Sequence, residues 1–249
     1  MAKKSPITVY WAPRSLHEEK DFGEWNMLYE DPTNLYLDIL DRKTKESKNK
    51  SYLSCPAVTD RFKNTYVFRN NTKTEYTYDW SDIENPKLFN TLDTGVFISS
   101  PRPLTINDGP TLLYSQYYYL FSDEPLKAFF NPPMFHEPKH TKNGTVIPGA
   151  FDIGQWYRPF GCEMQMWSKT GSFVIEENEP LFYLEFDTDR EVILKRYKLT
   201  PELVAYSASC VASPNSFGSN LPLIKRYERF TKTRTNTLVL NEIKKNLID

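Results

Sequence analysis

The chain has 249 residues with 31 basic and 32 acidic side chains, so its formal net charge is −1. That balance excludes a strongly basic protein that binds nucleic acid independently of sequence. With nine glycines, and without a G-x-G-x-x-G or G-x-x-x-x-G-K-[ST] segment, the chain also lacks the common glycine-rich loops that cradle phosphates.

Apolar residues alternate with polar ones along much of the chain, a pattern that predicts a β protein. Ile7, Val9 and Trp11 share one face of a first strand, and Tyr76 and Tyr78 share one face of a later strand. Shorter runs of the same kind predict further strands at residues 35–40, 66–68, 96–98, 162–167, 173–175, 181–186 and 192–194.

The segment 112–121 is predicted to be a central strand. It places Tyr119 and Phe121 on one face and Tyr118 and Leu120 on the other. Because both faces are apolar, we expect this strand to be covered by a layer on each side.

Two turns in the middle of the chain join predicted strands, and the first of them predicts a hairpin. The strand that ends at Met166 is followed by the turn 169–171 and then by Phe173. The strand 181–186 is followed by a turn at 187–189 and by the strand that begins at Val192.

Helical signals are concentrated in the C-terminal fifth of the chain. Thr200 is a suitable N-cap and Pro201 a suitable first helical residue, which predicts a helix through Leu203. Apolar residues at helical spacing predict a second helix from about residue 221 and a third around residues 240–247.

These elements predict a mainly β protein. We expect a two-layer antiparallel β-sandwich or jelly-roll-like domain at residues 1–197, with a C-terminal helical appendage at residues 198–249 packed on it. The amphipathic faces of the helices need a sheet to cover, which is why we expect them to pack there.

The near-neutral total conceals an uneven distribution of charge. Segment 42–50 carries five bases and one acid, and segment 220–249 carries seven bases and three acids, so the rest of the chain is acidic. Nucleic-acid contact is therefore expected only through the basic helix at 221–234, and a charged outer face of an amphipathic helix explains the same pattern.

The sequence favours a chain that is not secreted through a signal peptide. The first apolar run, in MAKKSPITVYWAP, is short and lacks a small-residue cleavage site, and no stretch has the ~18 to 20 apolar residues of a membrane helix. Cys55, Cys162 and Cys210 form no C-x-x-C pair, which is typical of free thiols in a reducing cytosol.

Aromatic residues form 15 % of the chain and suggest a binding face. The candidate ligand-binding residues are Trp156, Tyr157, Arg158 and Trp167, because flat aromatic faces stack on sugar and base rings. A glycan or a protein would be the partner of such a face. The alternative is that these aromatic side chains fill the core of a layered β fold.

A metal site is the competing hypothesis. His136 and His140, joined by His17 and Glu19, would supply the imidazoles and the carboxylate that bind iron in a cupin-like oxygenase. Pro138 prevents the first two histidines from sharing a helix face, so this set requires a tertiary contact. The alternative is a solvated loop.

Two stretches carry a resemblance to known proteins. Residues 54–67 contain SCPAV followed by NTYV, and residues 148–182 contain PGAFDIGQWYRPF, a Met-Trp pair and a Glu-Pro-Leu-Phe segment. They resemble uncharacterised proteins of marine tailed phages, and are more distantly similar to a bacterial domain-of-unknown-function family. The likeness covers roughly residues 7–197. It implies a phage product that acts in the host bacterial cytoplasm or in the virion, and it implies no catalytic residues.

The sequence therefore favours a phage-type binding or structural protein with an aromatic-rich β face, no cofactor and no enzymatic activity. The alternative is the cupin-like, iron-dependent oxygenase.

Overall fold

The structure, a computed structural model, describes residues 4–14, 29–42, 55–82, 84–90, 109–211 and 223–248. Its strands are, in chain order, β1 (Ile7–Arg14), β2 (Thr33–Asn34), β3 (Thr65–Arg69), β4 (Thr74–Asp79), β5 (Lys87–Asn90), β6 (Thr111–Ser122), β7 (Lys127–Asn131), β8 (Gly144–Val146), β9 (Gly149–Asp152), β10 (Phe160–Met166), β11 (Thr170–Ile175), β12 (Pro180–Phe186) and β13 (Val192–Arg196).

The helices lie at the two outer surfaces of this β structure. They are α1 (Leu35–Arg42), α2 (Pro56–Lys63), α3 (Pro201–Val211), α4 (Leu223–Lys232) and α5 (Thr235–Lys245), with a 3-10 helix at Lys139–Lys142. The helices predicted in the C-terminal fifth are thus confirmed. None of the helices in the described ranges is long and apolar enough to cross a membrane.

The strands form three sheets. The front sheet has the order β13-β1-β6-β10-β8, the back sheet β2-β3-β12-β7-β9, and the small sheet β11-β4-β5. Between the described strands of these sheets the pairing is antiparallel, except that β1 and β13 run parallel. The predicted mainly β, sandwich-like fold with C-terminal helices is confirmed.

The main core lies between the front sheet and the other two sheets. Val9 and Trp11 of β1 and Tyr118 and Leu120 of β6 are buried in it, as the alternating pattern predicted. The opposite face of β6 is also buried, which confirms that this strand is central and covered on both sides.

The C-terminal helices cover the outer face of the front sheet. Leu203 of α3, Phe230 of α4 and Ile243 of α5 pack in one buried cluster with Tyr119 and Phe121 of β6. After α5 the chain returns to the end of β13, where the backbone N–H of Ile248 donates to the carbonyl of Arg196 (3.0 Å).

A second helical layer covers the outer face of the back sheet. Leu35 of α1 and Phe62 of α2 pack there with Val67 and Tyr183. The prediction of a strand at residues 35–40 was wrong, because the side chain of Asn34 accepts hydrogen bonds from the N–H groups of the first turn of α1.

The predicted hairpin was wrong in its pairing. β10 pairs with β6 and β8 in the front sheet, whereas β11 pairs with β4 in the small sheet. In the same way β12 lies in the back sheet and β13 in the front sheet. Each turn carries the chain across the core, because the apolar faces of both flanking strands are buried there. The strand predicted at residues 96–98 lies outside the described residues.

A buried polar network joins β6 to the two turns beside it. Tyr114 donates its hydroxyl hydrogen to Asn70 Oδ1 (2.6 Å), and the Thr74 hydroxyl lies 2.9 Å from the Tyr114 hydroxyl. Asn70 Nδ2 donates to the carbonyls of Ile175 (3.3 Å) and Glu176 (3.0 Å). The side chain of Asn70 thereby satisfies backbone groups from the β11–β12 turn inside the core.

Asn70→Ala removes these hydrogen bonds, so that the carbonyls of Ile175 and Glu176 lose this donor and the Tyr114 hydroxyl keeps only its contact with Thr74. We expect the free energy of unfolding to fall by about 3 kcal/mol, since each unsatisfied buried group costs about 1 to 3 kcal/mol. Urea denaturation measures this change. Asn85→Ala, at an exposed amide, is the matched control and should change stability by less than about 0.5 kcal/mol; equal effects of the two variants contradict the assignment.

Candidate functional site

A cavity of about 510 Å³ lies at the margin of the front sheet, where the chain crosses to the back sheet. Its lining includes Arg14 at the end of β1, Tyr117 of β6, Phe151 of β9, and Arg158 and Phe160 at the start of β10. The cavity therefore combines guanidinium groups with aromatic rings.

Strand register places Arg14, Tyr117 and Glu163 on one face of the front sheet, whereas Phe160 is paired with Tyr118 and packs against the main core. Arg14 is paired with Tyr117, and on the other side of β6 Glu163 is paired with Leu113. Directly opposed residues of antiparallel strands project their side chains to the same face. All four side chains consequently belong to the outer face of the front sheet, the face that carries Tyr119 two residues further along β6.

The aromatic part of the cavity is packed closely. The ring of Phe160 lies 5.4 Å from that of Phe151 and 5.9 Å from that of Phe130 between ring centroids. The strand register shifts between Phe160 and Cys162, and Gly161 lies at this irregularity. A Cβ atom on Gly161 would come within 2.7 Å of Tyr117 Cε1, so the Tyr117 ring lies directly on the glycine backbone.

Two of the charged residues of the cavity, Arg14 and Glu163, act on the Tyr117 hydroxyl. Burial raises the pKa of Tyr117, the positive charge of Arg14 opposes that increase, and the negative charge of Glu163 adds to it. Arg158 lies with its guanidinium 5.0 Å from the centre of the Trp156 ring. Within the described ranges, neither arginine forms an ion pair with a carboxylate.

The predicted aromatic binding residues do not form one exposed face. Trp156 is 4 % exposed and its ring centroid lies 3.7 Å from that of Tyr227 of α4. Tyr157 is completely buried, and its hydroxyl lies 2.9 Å from the hydroxyl of Tyr197. These two residues pack under the C-terminal helices, as the core interpretation of the aromatic excess predicted.

The other two predicted residues lie apart from each other. Trp167 is 43 % exposed and donates its indole N–H to the carbonyl of Thr141 (3.4 Å), outside the cavity lining. Arg158 lines the cavity. Sequence analysis missed Arg14 and Glu163, since their position beside Tyr117 depends on strand pairing that local patterns do not reveal.

The two histidines of the predicted metal site have different surroundings. His136 Nδ1 contacts the Tyr183 hydroxyl and its Nε2 contacts Asp38, so both ring nitrogens are engaged. His140 is fully buried, with Nδ1 3.8 Å from a carboxylate oxygen of Glu179.

Within the part of the chain that the structure describes, no three His, Cys, Asp or Glu side chains converge as a metal-ligand group. His17 and Glu19 lie outside the described residues. The iron site of the alternative hypothesis therefore stays a prediction, and His136 would have to give up one of its present contacts to serve in it.

A second cavity, of about 800 Å³, lies between the first two helices and the turn before β13. Its charged side chains already have partners: Asp60 pairs with Lys63 at 3.0 Å, and Asp189 with Lys4 at 2.6 Å. Arg190 is paired as well. The cavity beside Tyr117 is the stronger candidate site because, among the residues that the structure describes, its arginines do not have such partners.

No protein-family model and no curated protein matches this chain. The fold and the cavity define a class of protein, a β-sandwich with helical outer layers and an arginine-containing aromatic cavity. The resemblance to phage proteins stays a prediction.

The contacts of His136 continue through Asp38 to Arg69, which is paired with the Asp38 carboxylate at 2.7 Å and is mostly buried. Asp38→Asn removes the negative charge that Arg69 and His136 contact. We expect a loss of about 3 kcal/mol in the free energy of unfolding, the cost typical of breaking a buried pair. Asp60→Asn, in an exposed pair with Lys63, should cost less than about 0.5 kcal/mol. If thermal and urea denaturation give similar values for the two variants, the buried network does not contribute as described.

The surroundings of the Glu179 carboxylate lead us to expect that the stability of the protein depends on pH. Burial raises the pKa of Glu179, but the neighbouring His140 imidazole, 3.8 Å away, and hydrogen bonds from the backbone N–H groups of Glu176 and Lys139 lower it by more, so the pKa lies below its ordinary value. A carboxyl group whose pKa is lowered on folding stabilises the protein above its unfolded pKa of about 4.3 and loses that contribution as the pH falls.

Glu179→Gln removes this carboxylate. We expect the variant to be less stable than the wild type at pH 6, and the difference to shrink as the pH is lowered through about 4 towards 3. Urea denaturation at both pH values measures it. Glu84→Gln, at an exposed position, serves as the control and should show a constant small difference; a constant difference for Glu179→Gln would contradict the assignment.

Proposed function

We propose that this chain is a binding protein whose ligand occupies the cavity beside Tyr117 and carries an anionic group next to a flat apolar ring. The observation that supports the proposal is the pair Arg14 and Arg158, which line an aromatic cavity without a carboxylate partner among the described residues. Guanidinium groups bind carboxylate and phosphate oxygens through paired hydrogen bonds.

The apolar part of the ligand would rest on Phe151 and Phe160. Both rings are partly exposed, and each also contacts the other, so they present a fixed surface rather than mobile side chains. Stacking on such a surface contributes about 1 to 3 kcal/mol, and a charge-assisted hydrogen bond about 1.5 to 3 kcal/mol.

Of the four residues predicted for an aromatic binding face, only Arg158 belongs to the proposed site, which is a cavity and not an exposed face. Trp156 and Tyr157 pack under the C-terminal helices, and the Trp156 ring lies 5.0 Å from the guanidinium of Arg158, which is among the residues that line the cavity. Trp167 belongs to a separate surface.

We also propose, on the sequence resemblance alone, that the chain is a phage product that acts in the host cytoplasm or in the virion. Mass spectrometry of purified virions of a phage that encodes it distinguishes these two places. Peptides of the chain at the abundance of structural proteins indicate a virion component, and their absence indicates a role in the infected cell.

Anilinonaphthalene sulfonate is a suitable probe for the cavity, since it joins an anionic group to aromatic rings. We expect its fluorescence to increase on saturable binding of one molecule per chain, and Arg14→Gln or Arg158→Gln to weaken this binding at least about tenfold, the loss of one charge-assisted hydrogen bond.

The control variant is Arg61→Gln, at an exposed arginine that is paired with Glu185 outside the cavity. It should bind the dye as the wild type does. Near-ultraviolet circular dichroism confirms that each variant keeps its tertiary packing, because partly folded proteins also bind this dye. Equal dye affinity in all three variants would overturn the proposal.

A further inference from the structure

The cavity beside Tyr117 contains a carboxylate as well as its two arginines. Glu163 lines it from β10 and is partly buried. Like Arg14 and Arg158, it forms no ion pair with another side chain of the described ranges. Opposite charges that share a partly dry cavity normally pair with each other, so their separation here needs an explanation.

The strand register supplies the reason. Glu163 is opposite Leu113, whereas Arg14 is opposite Tyr117, four residues further along β6 and on its other side. Strand spacing and rise put the Cα atoms of Glu163 and Arg14 on the order of 15 Å apart. Between them lies the Tyr117 ring, which is held against the backbone of Gly161. The sheet therefore keeps the carboxylate and the guanidinium apart, with a gap in front of Tyr117.

We propose that the ligand of this cavity is a ring-bearing zwitterion, whose ammonium group is bound by Glu163 and whose anionic group is bound by Arg14 and Arg158. This inference rests on the proposed function and names its ligand class. The ring lies on Phe151 and Phe160. An aromatic α-amino acid has this combination of groups and is the simplest member of the class.

Glu163 then acts as the residue that determines specificity. A ligand with an acid and a ring but without an ammonium group leaves Glu163 without a partner, and places a second negative charge near it. A site built for a charged group rejects analogues that lack the matching group, because its own partly buried group stays unpaired. The arginines, by contrast, recognise both kinds of ligand.

Three probes test the inference on the full chain by calorimetry and by displacement of anilinonaphthalene sulfonate. They are L-phenylalanine, phenylpropionate, which lacks the ammonium group, and phenethylamine, which lacks the carboxylate. We expect phenylalanine to bind at least about tenfold more tightly than either analogue, the effect of losing one charge-assisted contact.

The Glu163→Gln variant should bind phenylalanine more weakly and phenylpropionate more tightly than the wild type does. The preference for phenylalanine over phenylpropionate should therefore disappear. Glu84→Gln, at an exposed glutamate outside the cavity, is the control and should keep the preference of the wild type. Arg158→Gln should weaken both carboxylate probes.

The outcomes separate this inference from the proposed function. If phenylpropionate binds as tightly as phenylalanine, or if phenylalanine does not bind while the dye does, the zwitterion inference is overturned and the anionic-ligand function stands. If neither the dye nor any probe binds to the folded chain, both are overturned. If Glu163→Gln keeps the preference for phenylalanine, Glu163 is not its cause and the inference is overturned.

Discussion

Burial of both faces of β6 is the constraint on which the rest of the structure depends. This 12-residue strand has neighbours on both edges and large side chains on both faces, with Tyr118 and Leu120 in the main core and Tyr119 and Phe121 under the C-terminal helices. A strand of this kind cannot lie at a surface, because large aromatic area on either side would stay in contact with water. The sandwich and its helical cover both follow from it.

The candidate site arises where this cover ends. Tyr119 and Tyr117 project from the same face of β6, but Tyr119 is fully buried whereas Tyr117 is only partly so. At that margin the crossing of the chain between the sheets brings Phe151 and Phe160 together, and the neighbouring strands add Arg14 and Glu163. The same alternation that fills the core therefore lines a cavity once the helices no longer cover the sheet.

Polar groups inside the fold serve a different purpose from those of the cavity. The Asn70 and Tyr114 pair, and the contacts from Arg69 through Asp38 to His136, are satisfied by their own neighbours and join elements that are distant in the chain. The charges of the cavity do not satisfy each other within the described residues. That contrast, rather than the number of charged groups, distinguishes a candidate site from a structural network.

By itself the sequence determined that the protein is mainly β, that residues 112–121 form a central strand and that helices follow Thr200, since periodicity and capping are local properties. It also singled out Arg158. Only the tertiary structure decided that Leu35 begins a helix, that consecutive strands such as β10 and β11 lie in different sheets, and that Arg14 and Glu163 flank Tyr117. Those outcomes depend on which distant strands pair and in which register. The register is selected by the burial of the whole core and not by any short stretch of residues.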